Sequence, residues 1–161
     1  MTAAVLTITS CSKDESTGIN NGNAIDFRAA MQTRASETTT ANITNFFVTA
    51  LDKNNANYFS DAEFTKDGAF FTSTPAYYWP SDGSNLSFFA YSPSAAGLGA
   101  TVTINSTTKT LADFEPATTI ADQKDFITAS ATGSKANEST GVALTFAHRL
   151  AQIEIKAKNA N

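Results

Sequence analysis

Apolar and polar residues alternate along much of this chain with a period of two. Near the C-terminal end Val142, Leu144, Phe146, His148 and Leu150 hold the even positions, and Ile153, Ile155 and Ala157 then hold the odd ones. Successive side chains of a strand point to opposite faces, so this change of parity needs an extra residue and predicts a β-bulge or bend near Ala151 and Gln152. Further upstream, Leu86, Phe88 and Ala90 alternate on one face while Phe89 and Tyr91 take the other. Tyr77 and Trp79 alternate just before that run, and the turn formers Pro80, Ser81, Asp82, Gly83, Ser84 and Asn85 separate the two. The pattern predicts strand, loop, strand around an aromatic cluster.

The same reading assigns strands to residues 24–29, with Ile25 and Phe27 facing inward, and to residues 45–51, 101–105 and 125–129. Residues 58–71 contain short apolar pieces, and Lys66-Asp67-Gly68 between two of them is a hairpin signal, because Asp-Gly supplies the positive-φ residue of a tight turn. Residues 111–120 read as irregular or edge segments, residues 94–99 as a break, and residues 31–41 and 130–141 as polar loops. No segment has the period of an amphipathic helix. Seven or eight short strands with regular turn signals predict an all-β domain, a β-sandwich.

Composition supports that class. The chain has 161 residues, enough for one domain and a tail. It is 42% hydrophobic and only 16% charged, with abundant Thr and Phe, which suit a pleated, half-buried surface. The formal charge of −4 leaves no basic patch to neutralise phosphates, so nucleic acid is not an expected partner. No apolar run is long enough to span a membrane as a helix. Cys11 is the single cysteine and His148 the single histidine. A lone cysteine forms no intrachain disulfide, and no Cys/His cluster or calcium loop appears, so neither metal nor cofactor is expected. No nucleophile and base are spaced for catalysis, and the chain is not expected to be an enzyme.

Residues 1–11 are apolar and rich in small residues, like the end of a secretory signal, but they lack a basic n-region. A leader that begins upstream of Met1 is therefore expected. Ile8-Thr9-Ser10-Cys11 resembles a bacterial lipobox, in which the Cys11 thiol is acylated with diacylglycerol and the residue becomes the new N-terminus. Such an anchor gives stable attachment at about 0.8 kcal/mol per buried methylene. Residues 12–23 are polar and rich in Ser, Gly and Asn, a flexible tether with nothing to bury.

An ordered set of segments points further. It comprises the leader ending in Cys11, the early Ile25-Asp26-Phe27 with a nearby Thr33-Arg34, FFVTA at 46–50 and YYWPSDG at 77–83. LSFFAYSP at 86–93, DFITA at 125–129 and VALTFAHRLAQIEIKAK at 142–158 complete it. Together they resemble the N-terminal domain of the fimbrillin-like (Mfa-like) proteins of Bacteroidetes, over residues 24–158. In that company Lys13-Asp14-Glu15 after the cysteine resembles a surface-export signal of Bacteroidetes lipoproteins.

The resemblance implies a transthyretin-like β-sandwich of about seven strands, residues 24–161, followed by a second β domain beyond Asn161. It implies a type V pilus subunit, or a tip or anchor component, delivered to the outer membrane as a lipoprotein and exposed on the cell surface. Its partners would be other fimbrial subunits in a head-to-tail polymer and the membrane that holds the lipid, with adhesion and biofilm as the use. A trypsin-like protease would cut after an arginine in the loop following the first strand. Loss of that strand opens a slot that accepts a strand from the next subunit. Arg34 lies in the polar loop before Phe46 and is the expected cleavage site; Arg28, inside the strand pattern, is the runner-up. The scheme makes physical sense, because a donated strand supplies backbone hydrogen bonds while its alternate side chains fill pockets. Unlike donor and acceptor surfaces build an open filament and not a ring.

Other residues allow a blander reading. His148 sits in the inward set and is expected as a buried histidine bonded to backbone. Asp82 and Gly83 could form a ligand lip, but a turn is the simpler reading. Tyr77, Tyr78 and Trp79 could stack a sugar ring, but core packing is the expected reading. A non-polymerising surface lipoprotein that binds glycan or host protein through an exposed aromatic patch is the alternative function.

Overall fold

The computed structural model of the chain describes residues 24–32, 42–119 and 122–150. In chain order the elements are β1 (Phe27–Met31), β2 (Asn45–Leu51), β3 (Asn57–Asp67), β4 (Phe70–Thr72), β5 (Leu86–Ser92), a one-turn helix α1 (Ala95–Leu98), β6 (Thr101–Ile104), β7 (Lys109–Ala112), β8 (Ile127–Gly133) and β9 (Val142–His148). Seven strands form one sheet in the order β1-β4-β3-β2-β5-β8-β9, and β1 pairs back to β9 so that the sheet closes. The all-β expectation of about seven strands is met in this closed, sandwich-like form. β6 and β7 make a separate hairpin.

All these pairings are antiparallel except one. β1 runs parallel to β9, from Phe27 opposite Val142 to Met31 opposite Phe146. Its other edge meets β4 antiparallel at Phe27 opposite Phe71. Parallel neighbours cannot be joined by a tight turn, and here nearly the whole domain forms the connection. The core inside the closed sheet is aromatic: Phe27, Phe46, Phe64, Phe88 and Phe146 are all fully buried. A second, smaller cluster lies outside the sheet, where Tyr91, Leu98 and Phe126 pack with Val102, Ile104 and Leu111 of the β6–β7 hairpin.

β3 departs from strict alternation. Phe59, Ala62 and Phe64 are all buried, so one residue is inserted, and the register with β2 shifts between Val48 and Ala50. Asp61 absorbs the insertion with φ of 50°. Its N–H donates to the buried Thr49 Oγ1 at 3.1 Å, and its carboxylate accepts from the Tyr91 hydroxyl. Burial, then the Asp61 contact, push the Tyr91 phenol well above its usual range. The expected bulge at Ala151 and Gln152 lies outside the described residues.

Several boundaries differ from the sequence reading. Tyr77 and Trp79 do not form a strand; the segment's ladder pairing is an isolated bridge between Ala24 and Tyr78. The first strand starts at Phe27 and not at Ile25, although Ile25 is buried and its N–H donates to the Tyr77 carbonyl at 2.8 Å. β8 runs on to Gly133, into what read as a polar loop. The hairpin at Gly68 is as expected, with φ of 59° there.

Candidate functional site

The most distinctive feature of the described chain is how β1 is held. Phe27 inserts at the centre of the core and is wholly buried. Its ring meets Phe64 at 4.7 Å between centroids, Phe88 at 5.2 Å and Phe46 at 5.9 Å, each in edge-to-face geometry. Such pairs add about 0.5–1.5 kcal/mol each beyond area burial. Ile25, on the same face two residues earlier, is also buried. One short segment thus plugs a slot walled by β4 on one side and β9 on the other.

Backbone bonds seat the plug at both ends. The Val142 N–H donates to the Asp26 carbonyl at 2.8 Å, and the Gln32 N–H donates to the Phe146 carbonyl at 2.9 Å. Gly141 permits the first of these. It has φ of 80°, and a Cβ there would lie 3.2 Å from the Phe70 ring and 3.3 Å from the Asp26 carbonyl oxygen. Only glycine combines that dihedral with so close an approach.

The Asp26 side chain is buried beside the slot, and burial, with a smaller contribution from Asp67, raises its pKa. An acid whose folded pKa lies above its unfolded value destabilises the fold once pH rises past the unfolded value, and has no effect below it. Asp26→Asn is therefore expected to raise the melting temperature at pH 7. The gain should shrink as pH falls and vanish below about 3.9, the ordinary aspartate value. Thermal melts of both chains between pH 3 and pH 8 check this, and an equal gain at every pH would contradict it.

Of the residues expected to act in processing, Cys11 and Arg34 lie outside the described residues. Arg28 is in β1, opposite Ala143 in the parallel ladder. Its guanidinium donates to the Gly141 carbonyl from Nη2 at 3.3 Å and from Nε at 3.4 Å. A protease needs an extended, unpaired segment, and Arg28 does not offer one here.

Two features of the inward set need correction. The His148 side chain, expected to bond to backbone, has a carboxylate partner: its Nδ1 lies 2.5 Å from an Asp125 oxygen. Leu150, read as inward, is 38% exposed. Asp82 and Gly83 form a turn. Gly83 donates to the Pro80 carbonyl at 3.1 Å, and Asp82 accepts from the Ser84 N–H at 3.0 Å and pairs with Lys53 at 2.6 Å. The Lys53 hydrogen bond, then that of Ser84, hold the Asp82 carboxyl well below its usual range.

The aromatic run divides between core and surface. Trp79 packs edge-on against Phe88 at 5.7 Å, and Tyr77 stacks on Phe59 at 4.3 Å. Tyr78 is 59% exposed, beside Tyr58 at 41%, whose hydroxyl donates to the Tyr78 carbonyl at 2.8 Å. Tyr58 was not singled out in the sequence, because nothing local distinguishes it from a strand residue. Among the described residues no three His, Cys, Asp or Glu side chains gather to hold a metal.

Fold and slot together define a class: an all-β domain whose first strand completes its own core. The chain belongs to the fimbrillin-like family, whose pattern matches residues 33–161. That family, with this fold, is one of structural proteins and not of enzymes. Among solved structures, a fimbrial protein from Bacteroides vulgatus is similar at 21% identity and a TM-score of 0.52, over 78% of this chain and 45% of that one. The fimbrial anchor protein Mfa2 from Porphyromonas gingivalis is similar at 14% identity and a TM-score of 0.45, over 78% of this chain and 50% of that one. The chain thus spans half or less of the length of these two structures. No curated protein sequence matches it.

Proposed function

We propose that this chain is part of a structural subunit of cell-surface fimbriae, made as a lipoprotein and assembled by exchange of strands. Cys11 carries the lipid that holds the precursor on the outer membrane. A protease that cuts after Arg34 frees β1. A strand from a neighbouring subunit, supplied by a further β domain beyond Asn161, then occupies the slot. The polymer serves adhesion and biofilm formation.

The observation that carries this reading is the position of Phe27. It lies at the middle of the core, yet on a strand of five residues that pairs with β4 at a single position. Removing β1 leaves an apolar cavity flanked by unpaired edges of β4 and β9, which is the surface a donated strand fits.

The test is digestion of the membrane-bound precursor with an Arg-specific protease. One cut near Arg34 followed by SDS-resistant oligomers is expected, and Cys11→Ala should release the protein from membranes. An intact monomer after digestion would favour a second reading, a non-polymerising surface lipoprotein. The exposed pair Tyr58 and Tyr78 supports that alternative, because a sugar ring can stack on such faces.

A further inference from the structure

A cavity of about 320 Å³ lies between the β6–β7 hairpin and the outer face of β5 and β8, away from the β1 slot. Its apolar walls are Phe89, Val102, Ile104, Leu111 and Phe126. The sheet face adds the hydroxyls of Thr128 and Ser130, and Lys109 and Arg149 stand at its edge. No aspartate or glutamate lines it.

Among the described residues the contacts of the two cations are with neutral groups. Lys109 Nζ sits 4.3 Å from the centroid of Phe89 and donates to the Asn105 carbonyl at 3.3 Å. Arg149 donates from Nε to Thr128 Oγ1 at 2.5 Å, which orients its guanidinium across β8. Among the described residues neither forms an ion pair, whereas Lys53 pairs with Asp82. In a chain with more acidic than basic groups, two cations and no described acidic residue beside one apolar cavity are a local inversion of charge.

The geometry points to a binding site for a small amphipathic monocarboxylate, with its apolar tail against Ile104, Leu111 and Phe126 and its carboxylate between Lys109 and Arg149. Guanidinium and ammonium donors bind a carboxylate by charge-assisted hydrogen bonds, which are about twice as strong as neutral ones. The cavity is at the small end of ligand sites, roughly 300–1,000 Å³. It therefore suits a medium-chain fatty acid and not a whole phospholipid. The apolar walls disfavour a free sugar or inorganic phosphate, and the paired cations disfavour a neutral or cationic amphiphile. The site depends on the β6–β7 hairpin and not on β1, so it is independent of the assembly proposed above.

Octanoate is the probe, titrated into the 161-residue chain and followed by calorimetry. Saturable one-site binding is expected, with a Kd of about 1 mM or tighter, as befits so small a ligand. Octanol and octylamine should bind at least about tenfold more weakly, the factor expected when a charged hydrogen bond is lost. The double variant Lys109→Gln with Arg149→Gln should lose octanoate affinity by a similar factor with its melting temperature unchanged. Ile104→Trp should fill the cavity and abolish binding; because it could also disturb the hairpin, the double variant and the octanol comparison decide. Absence of saturation, equal affinity for octanol, or a double variant that binds like the parent would each overturn the assignment.

Discussion

Phe27→Ala is expected to cost about 4–5 kcal/mol, the upper part of the range for removing a buried phenyl ring. The ring is fully buried and in edge-to-face contact with three others, so the hole it leaves has rigid aromatic walls that collapse poorly. A domain of this size has about 5–15 kcal/mol to lose, so the variant should lie near the edge of stability at room temperature. Urea titration checks the figure, with the midpoint falling while the slope holds. Ala30→Ser, at an exposed position on the same strand, serves as control and should stay within about 0.5 kcal/mol of the parent. A loss below about 1.5 kcal/mol for Phe27→Ala would mean that β1 does not complete the core.

Removing the whole strand should have the largest effect. A chain that begins at residue 35 lacks Ile25, Phe27 and every hydrogen bond that β1 gives β9. It should expose an apolar slot, bind a hydrophobic dye and leave the monomer peak in size-exclusion chromatography. A synthetic peptide of residues 24–32 should restore the monomer and quench the dye. The same peptide with Phe27→Asp should do neither, because a carboxylate cannot enter a pocket of phenyl rings without a partner. If the shortened chain stayed monomeric and dye-free without peptide, the slot would not be an acceptor site, and strand exchange would lose its physical basis.

Legibility in the sequence followed side-chain size. β2, β5 and β9 were readable because Phe, Leu and Val alternate there with smaller or polar residues. The second half of β8 was not, since Ala129, Ala131 and Gly133 make up its inward series and carry too little apolar contrast. Tyr77 and Trp79 have the period of a strand but are held by ring contacts, stacked on Phe59 and edge-on to Phe88, which alternation alone cannot distinguish from pairing. The insertion at Asp61 had a signal, the three-residue step from Phe59 to Ala62, but a short Ala is easily passed over. Of the slot, the inward direction of Ile25 and Phe27 was legible; Gly141 and Asp26 as its fittings were not.

What the order of residues determined by itself is which faces are apolar, because strand geometry sends alternate side chains to opposite sides whatever the partners are. That suffices for an all-β chain with Phe27 turned inward. Which strands meet was decided only by the folded chain. β1 lies against β9 more than a hundred residues away, Asp125 reaches His148, and Lys109 comes to the same cavity as Arg149. No local preference encodes such pairs; they arise because closing the sheet buries the five phenyl rings in one volume and leaves β1 as the strand that seals it.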